Sequence, residues 1–191
     1  YAGEVIMMDS IRNTMGIALK YLGYSMNSDD IGALEAAKDL LIKQKTDGIV
    51  KAYQVDETKD KMVAGEAALA VMWSGDAQYS IDLNDDLAYV IPKEGSNVWV
   101  DCAVIPAAAK NKENAEKFIN YLCSPEVAVR NCEAIGYCCP NDAAIELMGE
   151  DNASNPVMNP SDETVANCEY FNDLDATWLT VYNTLWQEVL N

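Results

Sequence analysis

Short apolar runs alternate with amphipathic stretches along most of the 191-residue chain. Glu4 to Met8 is apolar and ends in Asp9-Ser10, which predicts a buried strand followed by a helix N-cap. Met15, Ala18, Leu19 and Leu22 recur at helical spacing, so a helix should run from about Ile11 to Leu22 and close at Gly23. Asn27-Ser28-Asp29-Asp30 offers a second cap, and Ile31, Leu34, Ala37, Leu40 and Leu41 mark the helix behind it. Asp47-Gly48 turns the chain into an extended stretch from Ile49 to Tyr53, ahead of a third helix from Glu57 to Val63 that ends at Gly65. Ala67 to Trp73 is almost continuously apolar, as expected of a strand covered on both faces. Ser74-Gly75-Asp76 breaks that run, and a short helix should follow through Ile81. Leu87 to Ile91 and Val98 to Ile105 predict two further strands, closed by Pro92 and Pro106.

Beyond Pro106 the period changes to that of helices. Asn111 to Leu122 and Pro125 to Ile135 are the first two, the latter with Ser124 as N-cap and proline at the first helical position. Asn141 caps another to about Met148, and Gly149 to Pro160 reads as a loop. Ser161-Asp162 opens a short helix, and Asp175 to Leu190 is amphipathic. Strands alternating with helices imply an α/β architecture with a largely parallel sheet. A chain of this length forms one generous domain or two small lobes and buries about 70% of its unfolded surface.

Charge changes the functional picture more than composition does. Thirty-one acids against 13 bases leave a net charge of −18. Such a surface repels phosphate backbones, which argues against nucleic acid as a partner, and favours cationic ligands or divalent metals. Histidine is absent, so Ser-His-Asp and Cys-His catalysis, histidine-ligated zinc and an imidazole pH switch are all excluded. Asp82-x-Asn84-x-Asp86 opens like a calcium loop, but Leu87 stands where glycine is required and Lys93 where the twelfth-position glutamate belongs. It reads as a solvated acidic turn. No glycine-rich phosphate loop is present, and neither a cofactor nor a metal is expected.

No apolar run approaches the roughly 18–20 residues that span a bilayer. The start, Tyr1 to Ile6, has neither the basic nor the apolar region of a signal peptide, and no initiator methionine. The expectation is an internal piece of something longer, with a removed leader as the alternative. The six cysteines, Cys102, Cys123, Cys132, Cys138, Cys139 and Cys168, contain no C-x-x-C pair. Free thiols and a single disulfide both stay open.

Two places put a tryptophan beside a carboxylate at the end of an apolar run. In Trp73-Ser74-Gly75-Asp76 the predicted strand delivers Trp73 at its carboxyl edge, where ligands of open α/β sheets bind, with Asp76 in the next turn. In Trp99-Val100-Asp101, two-residue periodicity would put Trp99 and Asp101 on one strand face. An indole face attracts an ammonium and covers a methylene stem. A carboxylate beside it accepts charge-assisted hydrogen bonds from the same ammonium. Taken singly, each tryptophan reads as core and each aspartate as a cap. Two copies in so acidic a chain favour a site for an alkyl diammonium.

Several in-order segments carry a family resemblance. Ala68 to Asp76, then Tyr89-Val90-Ile91-Pro92-Lys93-Glu94-Gly95-Ser96-Asn97-Val98-Trp99-Val100-Asp101, resembles the spermidine/putrescine-binding proteins of bacterial ABC importers. Ile105 to Glu113, Ala18 to Ser25, and Ile135-Gly136-Tyr137 with Pro140-Asn141 match as well. The resemblance implies a two-lobed fold of the periplasmic-binding-protein type II kind, of which this chain looks like the later part. Residues 1–100 and 148–191 would form the second lobe, and 101–147 would cross a hinge to complete the first. The helices between Asn111 and Met148 would then expose the apolar stripe Ala115, Phe118, Ile119, Leu122, Val127 and Ile135, with self-association as a consequence.

Carried over by that resemblance, Trp73 and Trp99 are the aromatic walls and Asp101 the central carboxylate. Asp76 matches an acidic position of putrescine-preferring relatives. Ser10 and Asn13 occupy positions that are acidic in the family, and Phe171 stands where relatives place a polar amide. The implied function is capture of putrescine or spermidine between two lobes outside the cytoplasm and delivery to a membrane permease, with anchoring through a part not in this chain. The alternatives are another cationic or small solute on the same fold, or a hydrolase using Asp76 and Asp101.

Overall fold

The computed structural model describes residues 1–191, the side chains of Asp151 and Ala153 excepted. The chain begins with β1 (Val5–Met8), α1 (Ile11–Tyr21), α2 (Ile31–Thr46), β2 (Val50–Gln54), α3 (Thr58–Val63), β3 (Leu69–Ala70) and α4 (Ser74–Leu83). β1 lies between β2 and β3, and both pairings are parallel. A central parallel strand is covered on both faces, and all four residues of β1 are buried. Alternation sends Val5 and Met7 into the main core with Met15, Leu19, Leu34 and Leu41, while Ile6 faces the opposite side against Met62 and Ala67.

The later elements are β4 (Asn97–Val98), α5 (Lys112–Leu122), α6 (Pro125–Ile135), α7 (Asp142–Ile145), α8 (Glu150–Ala153), α9 (Asp162–Ala166), β5 (Glu169–Tyr170) and α10 (Ala176–Leu190). α10 returns to the start of the chain, where Tyr182, Leu185, Trp186 and Val189 complete the main core. Side-chain caps open α2, α7, α9 and α10, whereas Ser10 and Ser124 stand at the N-cap positions of α1 and α6 without a side-chain cap bond. The Asp30 carboxylate accepts the Ala33 amide at 2.7 Å, and that of Asp175 accepts the amides of Thr177 and Trp178. α6 begins at Pro125 and ends at Gly136, whose φ of +70° no β-carbon would favour.

β5 pairs in parallel with β4, Asn97 opposite Glu169 and Val98 opposite Tyr170. Glu169 is the clasp that ties this ribbon to α1. Its carboxylate accepts from Lys20 at 2.8 Å, from the Ser25 hydroxyl and from the Met26 amide. Burial alone would raise the Glu169 pKa, but these donors and the lysine charge outweigh it and hold it below its ordinary value.

The strand expectations need correction. Ala67 to Trp73 contributes only Leu69 and Ala70, Leu87 to Ile91 forms no strand, and Val98 to Ile105 pairs only at its start. A strand exists through a hydrogen-bonded neighbour, which an apolar run does not supply by itself. Val104 is 81% exposed accordingly. The helix from Asn141 stops at Ile145, and α8 occupies part of the predicted loop.

Residues 112–148 pack mainly on one another and on the segment just after them. Ala128, Cys132, Cys139, Ala144, Met148 and Met158 form a small second core. No residue of α5 is buried, and Phe118, Tyr121 and Ile135 are exposed. The helical stripe expected from Ala115 to Ile135 is therefore present but has little cover, with Val127 its single fully buried member.

Candidate functional site

The carboxyl ends of β1 and β3 open into a cavity of about 50 Å³. Met8 ends β1 and Val71 to Ser74 continue from β3, so the sheet itself delivers this wall. Asn13 comes from the first turn of α1, and Tyr89 and Trp99 come from the loops flanking β4. Trp73 and Trp99, distant in sequence, thus line one cavity at the strand ends, where an open parallel sheet places its ligands.

Tyr137 adds a third ring. It meets Trp99 edge-to-face with centroids 6.0 Å apart. Its approach depends on Gly75: a β-carbon there would lie 2.0 Å from the ring. Burial raises the Tyr137 pKa to about 12, with the Asp76, Asp101 and Tyr89 charges adding to the effect. Both candidate carboxylates therefore act on one phenol, which stays protonated and able to donate. Tyr89 is raised as well, chiefly by burial. An ammonium between these rings and carboxylates would find π-faces for its stem and acceptors for its protons.

The remaining predicted residues divide. Asp101 is exposed on irregular backbone. β4 ends at Val98, so Trp99 and Asp101 do not share a strand face, and their proximity to Tyr137 comes from the loop. Asp76 is half-buried in the first turn of α4 and pairs with the Lys59 ammonium at 3.4 Å. Asn13 lines the cavity and donates to the Ser10 hydroxyl at 2.8 Å, so the two neutral residues satisfy one another. Phe171 instead forms a platform for Arg12, whose guanidinium carbon lies 4.6 Å from the ring centroid. Arg12 also bonds the Asn172 carbonyl at 3.1 Å, fixing this end of β5 to α1. Tyr137, Tyr89 and Lys59 had no place among the residues expected from sequence. Tyr89 and Tyr137 lie within the segments that carry the family resemblance, and that was their signal; Lys59 had none. Among the described residues, no group of three or more metal-ligating side chains could hold an ion, and no helix is long and apolar enough to cross a membrane.

A family model described as bacterial extracellular solute-binding protein matches residues 1–160. The chain belongs to that family. The spermidine/putrescine-binding periplasmic protein of Escherichia coli K12 is 36% identical to this solute-binding protein over 189 residues, 99% of this chain and 53% of the relative. The putrescine-binding periplasmic protein SpuD of Pseudomonas aeruginosa is 28% identical, covering 97% of this chain and 52% of its own length. The chain spans about half the length of these curated relatives. Among solved structures, the spermidine/putrescine ABC transporter substrate-binding protein PotD of Streptococcus pneumoniae superimposes with a TM-score of 0.90 at 36% identity, covering 100% of this chain and 58% of that one. The α/β solute-binding fold expected from the resemblance is the one observed.

Proposed function

We propose that this chain supplies one wall of a polyamine site in the binding component of an ABC importer, and that it captures its ligand without chemistry. The observation that carries the reading is the meeting of Trp73, Trp99 and Tyr137 at the strand ends, with the Asp76 and Asp101 charges acting on the same phenol. Indole faces suit the methylene stem of a diamine, and Asp101, exposed and carrying no lysine partner among the salt bridges of the described residues, suits its ammonium. The name of the Escherichia coli relative gives spermidine and putrescine as its ligands, and that of SpuD gives putrescine.

In this reading, residues 1–100 and 148–191 form the second lobe and 101–147 belongs to the first, with the ligand held between them. Closure then presents the protein to a membrane permease outside the cytoplasm. The uncovered stripe on α5 and α6 is the surface that the rest of the first lobe would bury; alone, it would drive self-association.

Calorimetry on the protein in its full encoded length, with putrescine, spermidine and a neutral sugar, tests the proposal. Either polyamine should bind and the sugar should not. Asp101→Asn should weaken polyamine binding by about 1.5–3 kcal/mol, the usual worth of a hydrogen bond to a charged group. Sugar binding, or an indifferent Asp101→Asn variant, overturns it.

A further inference from the structure

Asp76 is not a vacant carboxylate. Lys59, on the neighbouring helix α3, reaches across with its ammonium 3.4 Å from Asp76 Oδ1 and 5.4 Å from the Tyr79 ring centroid. The side chains are 36% and 22% exposed, so both charges are partly withdrawn from water. Packing leaves the lysine little choice of neighbourhood. Thr58 and Met62 of α3 are buried, and the Ser80 hydroxyl of α4 bonds the Lys59 carbonyl at 3.4 Å. The same hydroxyl bonds the Asp76 carbonyl at 2.8 Å, so one side chain spaces the two partners. An alkylammonium lying against a phenol ring and a carboxylate is the chemistry expected of the bound ligand, but here the chain provides it.

From this geometry we propose that Lys59 is a specificity-determining residue that occupies the distal ammonium position at Asp76 and so limits how much a second ligand charge contributes. The inference rests on the polyamine reading above. A ligand's first ammonium meets Asp101 without competition. Its second can reach Asp76 only by sharing the carboxylate with Lys59 or by displacing it. Sharing puts two like unit charges within a few ångströms of one another in a partly desolvated site, and their repulsion weakens the second contact. Displacement exchanges one ammonium for another and yields little net gain. In either case a diamine binds only modestly better than a monoamine with the same stem.

The test compares putrescine with n-butylamine by calorimetry on the protein in its full encoded length. Lys59→Met should raise the putrescine-to-butylamine affinity ratio roughly two- to fivefold, the range expected when a partly exposed ion pair no longer competes. Lys59→Gln should do the same and stands in if the methionine variant does not melt cooperatively. The rise should be absent when the substitution is made in an Asp76→Asn background, because no carboxylate is released there. An unchanged ratio in variants that melt like the parent overturns the role of Lys59 while leaving the polyamine reading intact. A rise that persists without Asp76 overturns it too, by assigning the effect to the general field. If the parent binds neither amine, both readings fall.

Discussion

The two halves of this molecule contain helices of similar quality but very different cover. In the first, β1 to α4 with α10, Leu34, Leu19 and Val189 are wholly buried, and side chains from both faces of β1 find partners. In the second, α5 and α6 carry apolar stripes at clear helical spacing, yet Phe118 is 60% exposed and α5 buries nothing. Helix formation is a local matter of caps and periodicity, whereas burial requires a facing surface. The difference teaches that an apolar stripe predicts a helix without predicting how far that helix is covered.

That contrast can be broken by paired truncations. Leu34→Ala should cost about 2–5 kcal/mol of stability because it opens a cavity in a closed core. Chemical denaturation measures it, and a loss below 1 kcal/mol would mean this core is not closed.

Contacts at the edge of the first half should show an intermediate effect. Glu169→Gln removes the charge that holds β5 to Lys20 and should cost about 1.5–3 kcal/mol near neutral pH. The folded pKa of Glu169 lies below the ordinary 4.5, so its contribution is complete above that value and disappears as pH falls through the lower folded one. Melting temperatures of parent and variant should therefore converge on acidification, and a constant gap between them would contradict the clasp. Gly75→Ala forces a β-carbon against the Tyr137 ring and should cost about 1–3 kcal/mol, the ordinary penalty of overpacking. A changed emission of Trp99, whose indole meets that ring, should accompany it; an unaltered spectrum and melt would show that Tyr137 is not lodged there.

Phe118→Ala sets the lower end, within about 0.5 kcal/mol on this chain, as for other exposed sites. Its effect should instead be read by light scattering, as reduced self-association. A loss comparable to Leu34→Ala would erase the distinction between the halves.

How much could be read from residues alone follows the same division. The Asp30 cap and the Ser124-Pro125 start mark helix ends that the structure keeps, because such signals act within a few residues. Leu87 to Ile91 and Val98 to Ile105 misled, because pairing depends on a neighbour far along the chain. β5 went unnoticed for the converse reason: Glu169-Tyr170 has no apolar run, only a partner at Asn97-Val98. At the site, Trp73 and Trp99 were visible through their adjoining acids. Tyr137 was not, since what brings it there is the absence of a side chain at Gly75. Nor was Lys59, whose significance lies wholly in the carboxylate 17 residues away.

The return of α10 to α1 has a consequence for how the chain acquires its structure in time. Arg12 waits for Asn172, Lys20 for Glu169 and Ser28 for Tyr182, separations of 160, 149 and 154 residues. Contacts of such long range form slowly, because the intervening loop must be closed before they repay its entropy. During synthesis at roughly 5–20 residues per second, the first strand and helix would emerge many seconds before the helix that seals them. Until then Met15, Leu19 and Leu34 lack their cover from Tyr182 and Trp186. The nascent chain should stay loose and protease-sensitive until α10 has appeared, and then gain protection in one late step.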